Sequence, residues 1–249
     1  MGDGYDIANR DRRMTRTNKF GQAIGEELPV GWKKAIFPDK KALLGKYTRV
    51  EPLDPPKHAK ELFTANNSDI DDSGWTYLGY GPFGNYSDYQ TWLQSVCVSK
   101  DPMFWTYIDR KTDEAVGLGS YLRINPKEGS IEVGHLRFSS LMQRTTVATE
   151  AMFLKMEYAF DLGYRRYEWK CDALNAPSRR AAERFGFKFE GIFRQATHYR
   201  GRNRDTAWFS IIDTEWPTVK SAHREWLKPN NFDENGKQIK SLSYFLDAS

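Results

Sequence analysis

The chain has 249 residues, 39% hydrophobic and 14% aromatic, which is enough for a sizeable core and too ring-rich for a disordered chain. Its 37 basic and 33 acidic residues leave a formal charge of +4, a mixed surface and not a polycation; two cysteines without zinc-like spacing and four scattered histidines indicate neither a disulfide framework nor a metal site. No apolar run approaches the roughly 20 residues of a membrane span, and MGDGYDIANRDRRM is too polar for a signal sequence, so a cytoplasmic protein with no membrane partner is expected.

In chain order, residues 1–31 balance acids and bases and read as a mobile arm or an extension laid over the domain. The run LLGKYTRVEPL (43–53) predicts a strand ending at a proline, and PKHAKELFTAN a helix. The aromatic loop WTYLGYGPFGNY (75–86) leads into a helix, SDYQTWLQSVCV. Three strands follow, MFWTYIDR (103–110), AVGLGSYLRI (115–124) and SIEVGHLRFS (130–139), separated by KTDE and NPKEG turns as an antiparallel meander. The period then changes. In TEAMFLKMEYAFDLG the acids Glu150, Glu157 and Asp161 lie within about 40° on a helical wheel, while Ala151, Leu154, Tyr158 and Leu162 form an apolar stripe and Gly163 stops the helix. YRRYEWKCDAL alternates Tyr167, Trp169 and Cys171 against Glu168, Lys170 and Asp172, a half-buried strand. NAPSRRAAERFGF is a second helix, capped by Asn175 and closed at Gly186. FKFEGIFRQATHY and TAWFSIID add two strands, EWPTVKSAHREWL a C-terminal helix, and KPNNFDENGKQIKS a polar tail outside the core. Meander, helix, strand, helix and two strands make an α+β domain with a mixed sheet.

The stretch QRTTVATEA (143–151) places a helix start directly after a strand, which is physically a site for a polyanion. The first amides of a helix lack partners within it, and the helix dipole adds about half a positive charge there. Thr145, Thr146 and Thr149 can add hydroxyl donors, and Arg144 an outer charge. A plain helix cap at Thr145 or Thr146 explains the same residues without a ligand.

Together with Asn175, Ser178 and Gly186-Phe187 at the distance of one helix and one strand, the chain resembles the GNAT superfamily of acetyl-CoA-dependent N-acetyltransferases. The resemblance lies in the branch of ribosomal-protein N-terminal (Rim-type) acetyltransferases and their small-molecule-modifying relatives. It covers roughly residues 40–215 and rests on IEVG (131–134), Gln143-x-x-Thr146-x-Ala148 with TEA (149–151), LGYRRYEWKCDALN (162–175), Ser178 and AAERFGFKFEG (181–191). It implies a mixed, mostly antiparallel sheet of about seven strands with helices on both faces, splayed between the fourth and fifth strands. The implied division is an extension over 1–31, a catalytic domain over 32–216 and a C-terminal helix and tail over 217–249. It implies acetyl-CoA as cofactor, bound by Leu136, Phe138, Gln143, Arg144, Thr145, Thr146, Val147, Ala148, Thr149, Asn175, Ser178 and Arg179, with Arg179 or Arg180 meeting the 3′-phosphate. Two departures stand out: Thr146 replaces the glycine usual in the loop, and Ala182 the tyrosine that often protonates the leaving thiolate, for which Ser178 substitutes.

The implied chemistry is attack of an amine on a thioester. An amine of pKa near 10 is only about one part in a thousand neutral at pH 7, so a base that takes its proton recovers roughly 4 kcal/mol of barrier. Glu132 and His135 are the candidates, Glu132 first; they have opposite strand parity and share a cleft only if the strand bulges, most easily at Gly134. Each also has a structural reading, as a hydrogen-bond acceptor or a packed histidine. Amides around Leu136–Phe138 would polarise the thioester carbonyl. Cys171 reads as core and not as a nucleophile. Tyr80 and Phe83 in the aromatic loop are candidate acceptor contacts or, alternatively, a hydrophobic plug. The expected partner is a primary amine of a small molecule, amino acid or peptide N-terminus, acting on a monomer or homodimer. Eight basic against three acidic residues over 175–206 raise a second reading, nucleic-acid or ribosome binding, and Thr146 with Ala182 a third, an acyl-CoA binder without turnover.

Overall fold

The computed structural model describes residues 16–248, in two units divided between Lys33 and Lys34. Residues 1–15 of the expected arm lie outside the described residues. In the first unit, β1 (Arg16–Thr17) pairs antiparallel with β2 (Ala23–Ile24) around a turn in which Asn18 Oδ1 accepts from Phe20 and Gln22 amides.

The second unit holds an eight-stranded sheet. Its elements are β3 (Leu43–Leu44), β4 (Thr48–Pro52), α1 (Pro55–Asn67), α2 (Tyr86–Cys97), β5 (Met103–Asp109), β6 (Glu114–Asn125), β7 (Ser130–Phe138), α3 (Thr146–Asp161), β8 (Arg166–Asp172), α4 (Ala176–Arg184), β9 (Lys188–Tyr199), β10 (Arg202–Ile212), α5 (Trp216–Trp226) and α6 (Leu242–Asp247). The strand order is β3-β4-β5-β6-β7-β8-β10-β9, antiparallel throughout except between β7 and β8, which α3 connects by a crossover. The parallel pairing runs only from Ser130–Arg166 to Val133–Trp169. Beyond it β7 continues along β6 and β8 along β10, which is the expected split between the fourth and fifth long strands.

Alternation along β5 shows how the layers form: Phe104 and Ile108 join a cluster with Leu62, Tyr89 and Leu93 of α1 and α2, whereas Met103, Trp105 and Tyr107 face α3. Helices therefore cover both faces. The predicted strand 43–53 is instead two strands around a turn at 45–47, and the reason is Glu150. Its carboxylate accepts the amides of Lys46 (2.8 Å), Tyr47 (2.6 Å) and Thr48 (2.8 Å), and any side chain on Gly45 would collide with it. Glu150 is thus buried, unlike Glu157 and Asp161 near it on the helical wheel, and the apolar stripe read on α3 was too narrow. Val147, Ala148, Ala151, Met152, Phe153, Met156, Tyr158 and Ala159 are buried too, because the helix lies between the sheet and α5. Lys155 is fully buried beneath the rings of Tyr121 (3.9 Å) and Trp105 (4.4 Å), and burial drives its ammonium well below the ordinary lysine value.

The tail also differs from expectation. Asn231 is buried, its amide donating to the Trp226 and Lys240 carbonyls and its oxygen accepting the Lys240 amide. Phe232 packs edge-on against Trp226, and Leu242 of α6 enters the core. One side-chain amide that satisfies a turn lets a polar sequence fold back. Among the described residues no helix is long and apolar enough to cross a membrane.

Candidate active site at the split between β7 and β8

Beyond the last β7–β8 pair, β7 carries a bulge: Gly134 pairs with Ser120 and Arg137 with Leu118, so His135 and Leu136 face one residue of β6. The bulge was expected to be easiest at Gly134, and it falls one residue on: His135 takes the left-handed conformation, at φ 52°. Gly134 serves space instead, because a Cβ there would lie 2.9 Å from Leu122 Cδ2 and 3.7 Å from Glu132 Oε1. The bulge turns His135 onto the face that carries Glu132. Its ring packs on Phe104 (5.2 Å) and Tyr80 (5.7 Å), and burial, aided by Arg123 and Arg204, lowers its pKa to about 4. A histidine neutral to that acidity is a packed group with little proton affinity.

Glu132 is 3% exposed and sits in a network read off β6, β7 and β8. Its Oε2 accepts from Arg123 Nη1 (2.7 Å) and lies 3.0 Å from Lys170 Nζ, which also pairs with Glu168 Oε2 at 2.7 Å and rests 3.7 Å over the Trp208 ring. Both cations grip one oxygen; among the described residues Oε1 has no hydrogen-bond partner and faces the space that Gly134 leaves open. Burial raises the Glu132 pKa, with Lys170 and Arg123 pulling the other way. Glu168 is also pushed up by burial, but hydrogen bonds from Arg166 and Lys170 leave it below its ordinary value. Strand β8 is therefore buried on both faces, not half-buried, with its polar face neutralised by ion pairs.

At α3, Arg144 takes φ 62° and turns the chain into the helix, while Thr146 is its first residue with helical dihedrals. The glycine that the loop lacks is therefore not needed for conformation at 146. Thr145 Oγ1 donates to the Met142 carbonyl and weakly caps the Ala148 amide at 3.4 Å, so its hydroxyl proton is committed. Thr149 Oγ1 accepts from Arg184 Nη1 of α4, which retains its own proton for an acceptor. Gln143 Nε2 donates to the Phe138 carbonyl at 2.8 Å and holds the loop against β7; Leu136 and Phe138 pack on the α3 side, and Val147 and Ala148 are buried.

Asn175 caps α4 through the Ser178 amide (3.1 Å). Ser178 Oγ accepts from Trp169 Nε1 (3.0 Å) and hydrogen-bonds Cys171, whose thiol burial pushes up. Cys171 is core. Ala182 is fully buried, so no acid stands at that position. Arg179 folds back onto the Ala173 carbonyl and the Phe189 ring, whereas Arg180 at the same turn is exposed. Phe83 packs among Trp75, Tyr89 and Trp92 as a plug in the α1–α2 cluster; Tyr80 stacks on Trp92 at 4.3 Å, yet its hydroxyl is buried without a partner.

Sequence reasoning missed Lys170, Arg123 and Trp208, and also the use of the basic hairpin. Arg200 donates to the Trp75 and Gly81 carbonyls and Arg202 to Thr76, tying the β9–β10 tip to the aromatic loop. Arg137, 3% exposed, pairs with Asp69 and lies under Trp75. Arg200 and Arg202, two of the eight basic residues of the window that had suggested nucleic acid, are thus spent on the fold.

The chain matches the family model described as Acetyltransferase (GNAT) domain over residues 49–188, more than half its length. It is 46% identical to a GCN5-related N-acetyltransferase of Brucella melitensis whose crystal structure superposes with a TM-score of 0.86, covering 88% of this chain and all of that one. It is 30% identical over 106 residues to the ribosomal-protein-serine acetyltransferase of Escherichia coli, across 42% of this chain and 59% of that protein. It is also 25% identical over 144 residues to the N-acetyltransferase p20 of Bacillus licheniformis, across 56% and 80%. A sheet split after Val133, a helix whose open amides follow that split and these matches agree: the chain belongs to the GNAT family, acetyltransferases that take their acyl group from acetyl-CoA.

Proposed function

We propose that the protein transfers an acetyl group directly to a primary amine of a small molecule, amino acid or peptide N-terminus, with residues 32–216 as the catalytic domain. The observation that carries the reading is the Glu132 carboxylate, fixed through Oε2 by Lys170 and Arg123 and leaving Oε1 beside Gly134. A carboxylate held in this way is oriented as a base, and its raised pKa brings its proton affinity closer to that of the amine it serves. His135 lines the site and positions Tyr80.

The donor set at the start of α3 fits a diphosphate: open amides of Arg144, Thr146 and Val147, a helix dipole and the exposed Arg144, with the Thr145 amide turned back onto the Met142 carbonyl. Asn175 and Arg180 extend it on α4. Bound acetyl-CoA supplies an activated acyl thioester. The edge of β7 facing the split has no β8 partner beyond Val133, which leaves amides near Leu136–Phe138 to polarise a carbonyl. Ser178, whose oxygen accepts the Trp169 indole N–H, directs its hydroxyl proton to the Cys171 sulfur and would turn it to the departing sulfur of the donor. Release of CoA should be measured across amines, amino acids and short peptides with the wild type, Glu132→Gln and Ser178→Ala. Loss of turnover in the first variant and slowing in the second are expected; full turnover in both on the best acceptor would overturn the assignment.

A further inference from the structure

The face that holds Glu132 also holds hydrogen-bond donors that nothing in the protein satisfies. Arg204 of β10 is half-buried and donates Nε to Thr206 Oγ1 at 3.2 Å. Among the described residues it has no carboxylate partner, whereas Arg49, Arg123, Arg137 and Arg166 each have one. Trp208 Nε1 and Tyr80 Oη are buried without acceptors. The pairing leaves a remainder: Arg123 meets Glu132, Lys170 meets Glu168, and Arg204 meets only the Thr206 hydroxyl and, at 6.0 Å, the Tyr199 ring. Its charge reaches the site, since it helps to hold His135 unprotonated.

Beside these donors lies an aromatic platform. Phe193 of β9 stacks on Trp208 with centroids 4.4 Å apart, yet Phe193 is 55% exposed. Lys170 lies over the Trp208 ring, so the platform adjoins the network that fixes Glu132. The β9–β10 hairpin and the aromatic loop are joined through Arg200 and Arg202 beside this platform. An occupant must therefore present an ammonium to Glu132 Oε1, an anion to a free guanidinium, and an apolar or flat body to two rings.

We propose that the acceptor is a free amino acid with an aromatic or large apolar side chain, its carboxylate bound by Arg204 and its side chain resting on Phe193 and Trp208. This narrows the acetyl-transfer reading above and rests on it. A peptide N-terminus would offer Arg204 only a neutral carbonyl, leaving the guanidinium half-buried and unpaired.

The test uses the full-length protein with saturating CoA and two probes, N-acetyl-L-phenylalanine and N-acetyl-L-phenylalaninamide, titrated calorimetrically, beside CoA release from acetyl-CoA with L-phenylalanine and L-phenylalaninamide. The acid should bind at least tenfold more tightly than the amide, and the free amino acid should be the better substrate by a similar factor. Arg204→Gln should abolish the preference while leaving amide binding and CoA binding unchanged; Arg204→Lys should restore part of it, and Phe193→Ala should weaken both probes equally. Equal binding of acid and amide, or a preference that survives Arg204→Gln, overturns the proposal. Arg204-dependent binding of the acid without CoA release would leave this subsite standing and remove acetyl transfer. CoA release indifferent to the carboxylate would do the reverse.

Discussion

The two faces of the sheet are built from the same strands and obey opposite rules. Toward α3 and α5 the residues are Trp105, Tyr121, Ile131, Val133, Tyr167 and Phe209, all at most 1% exposed. On the opposite face, β7, β8 and β10 present Glu132, Glu168 and Lys170, charges with buried side chains that pair with one another, beside the half-buried Trp208 ring. The first face stabilises by removing apolar area from water, about 25 cal/mol per Å². On the second, ion pairing only offsets desolvation, so such a face is poor evidence for stability and good evidence for chemistry. The contrast teaches where substitutions should act: on the packed face they should change stability, and on the charged face they should change rate.

The largest effect expected is at Glu132. Glu132→Gln should lower kcat/KM about a thousandfold, roughly 4 kcal/mol of barrier, with CoA affinity retained. Because the base acts deprotonated and its pKa is raised, wild-type kcat/KM should rise with pH through a value above that of an ordinary glutamate. Lys170→Met, which removes a counter-charge, should move that limb to still higher pH. A profile unmoved by Lys170→Met would show that the ion pair does not govern the base.

Next is Glu150, a charged residue that belongs to the packed side. Glu150→Ala strands three amides at the β3–β4 turn and should cost about 4 kcal/mol in urea denaturation, with kcat per folded molecule little changed. Smaller, and opposite in sign, is Lys155→Met. The buried amine has its folded-state pKa depressed, so its stability contribution is complete only above the unfolded value of about 10.4 and is lost as pH falls below it. Replacing it by an apolar side chain of similar length should raise stability at pH 7 by about 1 kcal/mol and flatten the dependence below pH 10. A loss of stability instead would mean that the Tyr121 and Trp105 rings compensate the charge fully.

Legibility in the sequence followed locality. Helix caps and stops were readable because Asn175, Gly163 and Gly186 act on neighbours within four residues. The meander and crossover were readable from period alone. The tie from Glu150 to residues 46–48 was not, because it spans over 100 positions. The candidate site was half legible: Glu132, the start of α3 and Ser178 came with family motifs. Lys170 and Trp208 were visible only as members of alternating strands. Their meeting depends on β10 entering between β8 and β9, a strand order that no local pattern encodes. The bulge was anticipated, but at Gly134; the left-handed conformation instead falls on His135, whose ring packs against Phe104 and Tyr80 and holds the turn.

Both faces meet where the sheet splits, and the central claim is that the start of α3 grips the diphosphate of the acyl donor there. Thr146→Asp separates that claim from a purely structural cap, because a carboxylate on the first turn favours the helix but repels a bound anion. Isothermal calorimetry with CoA should show clear binding by the wild type and an affinity about a hundredfold weaker for Thr146→Asp, whose urea midpoint is unchanged or higher. Equal CoA affinity in the two proteins would contradict the account.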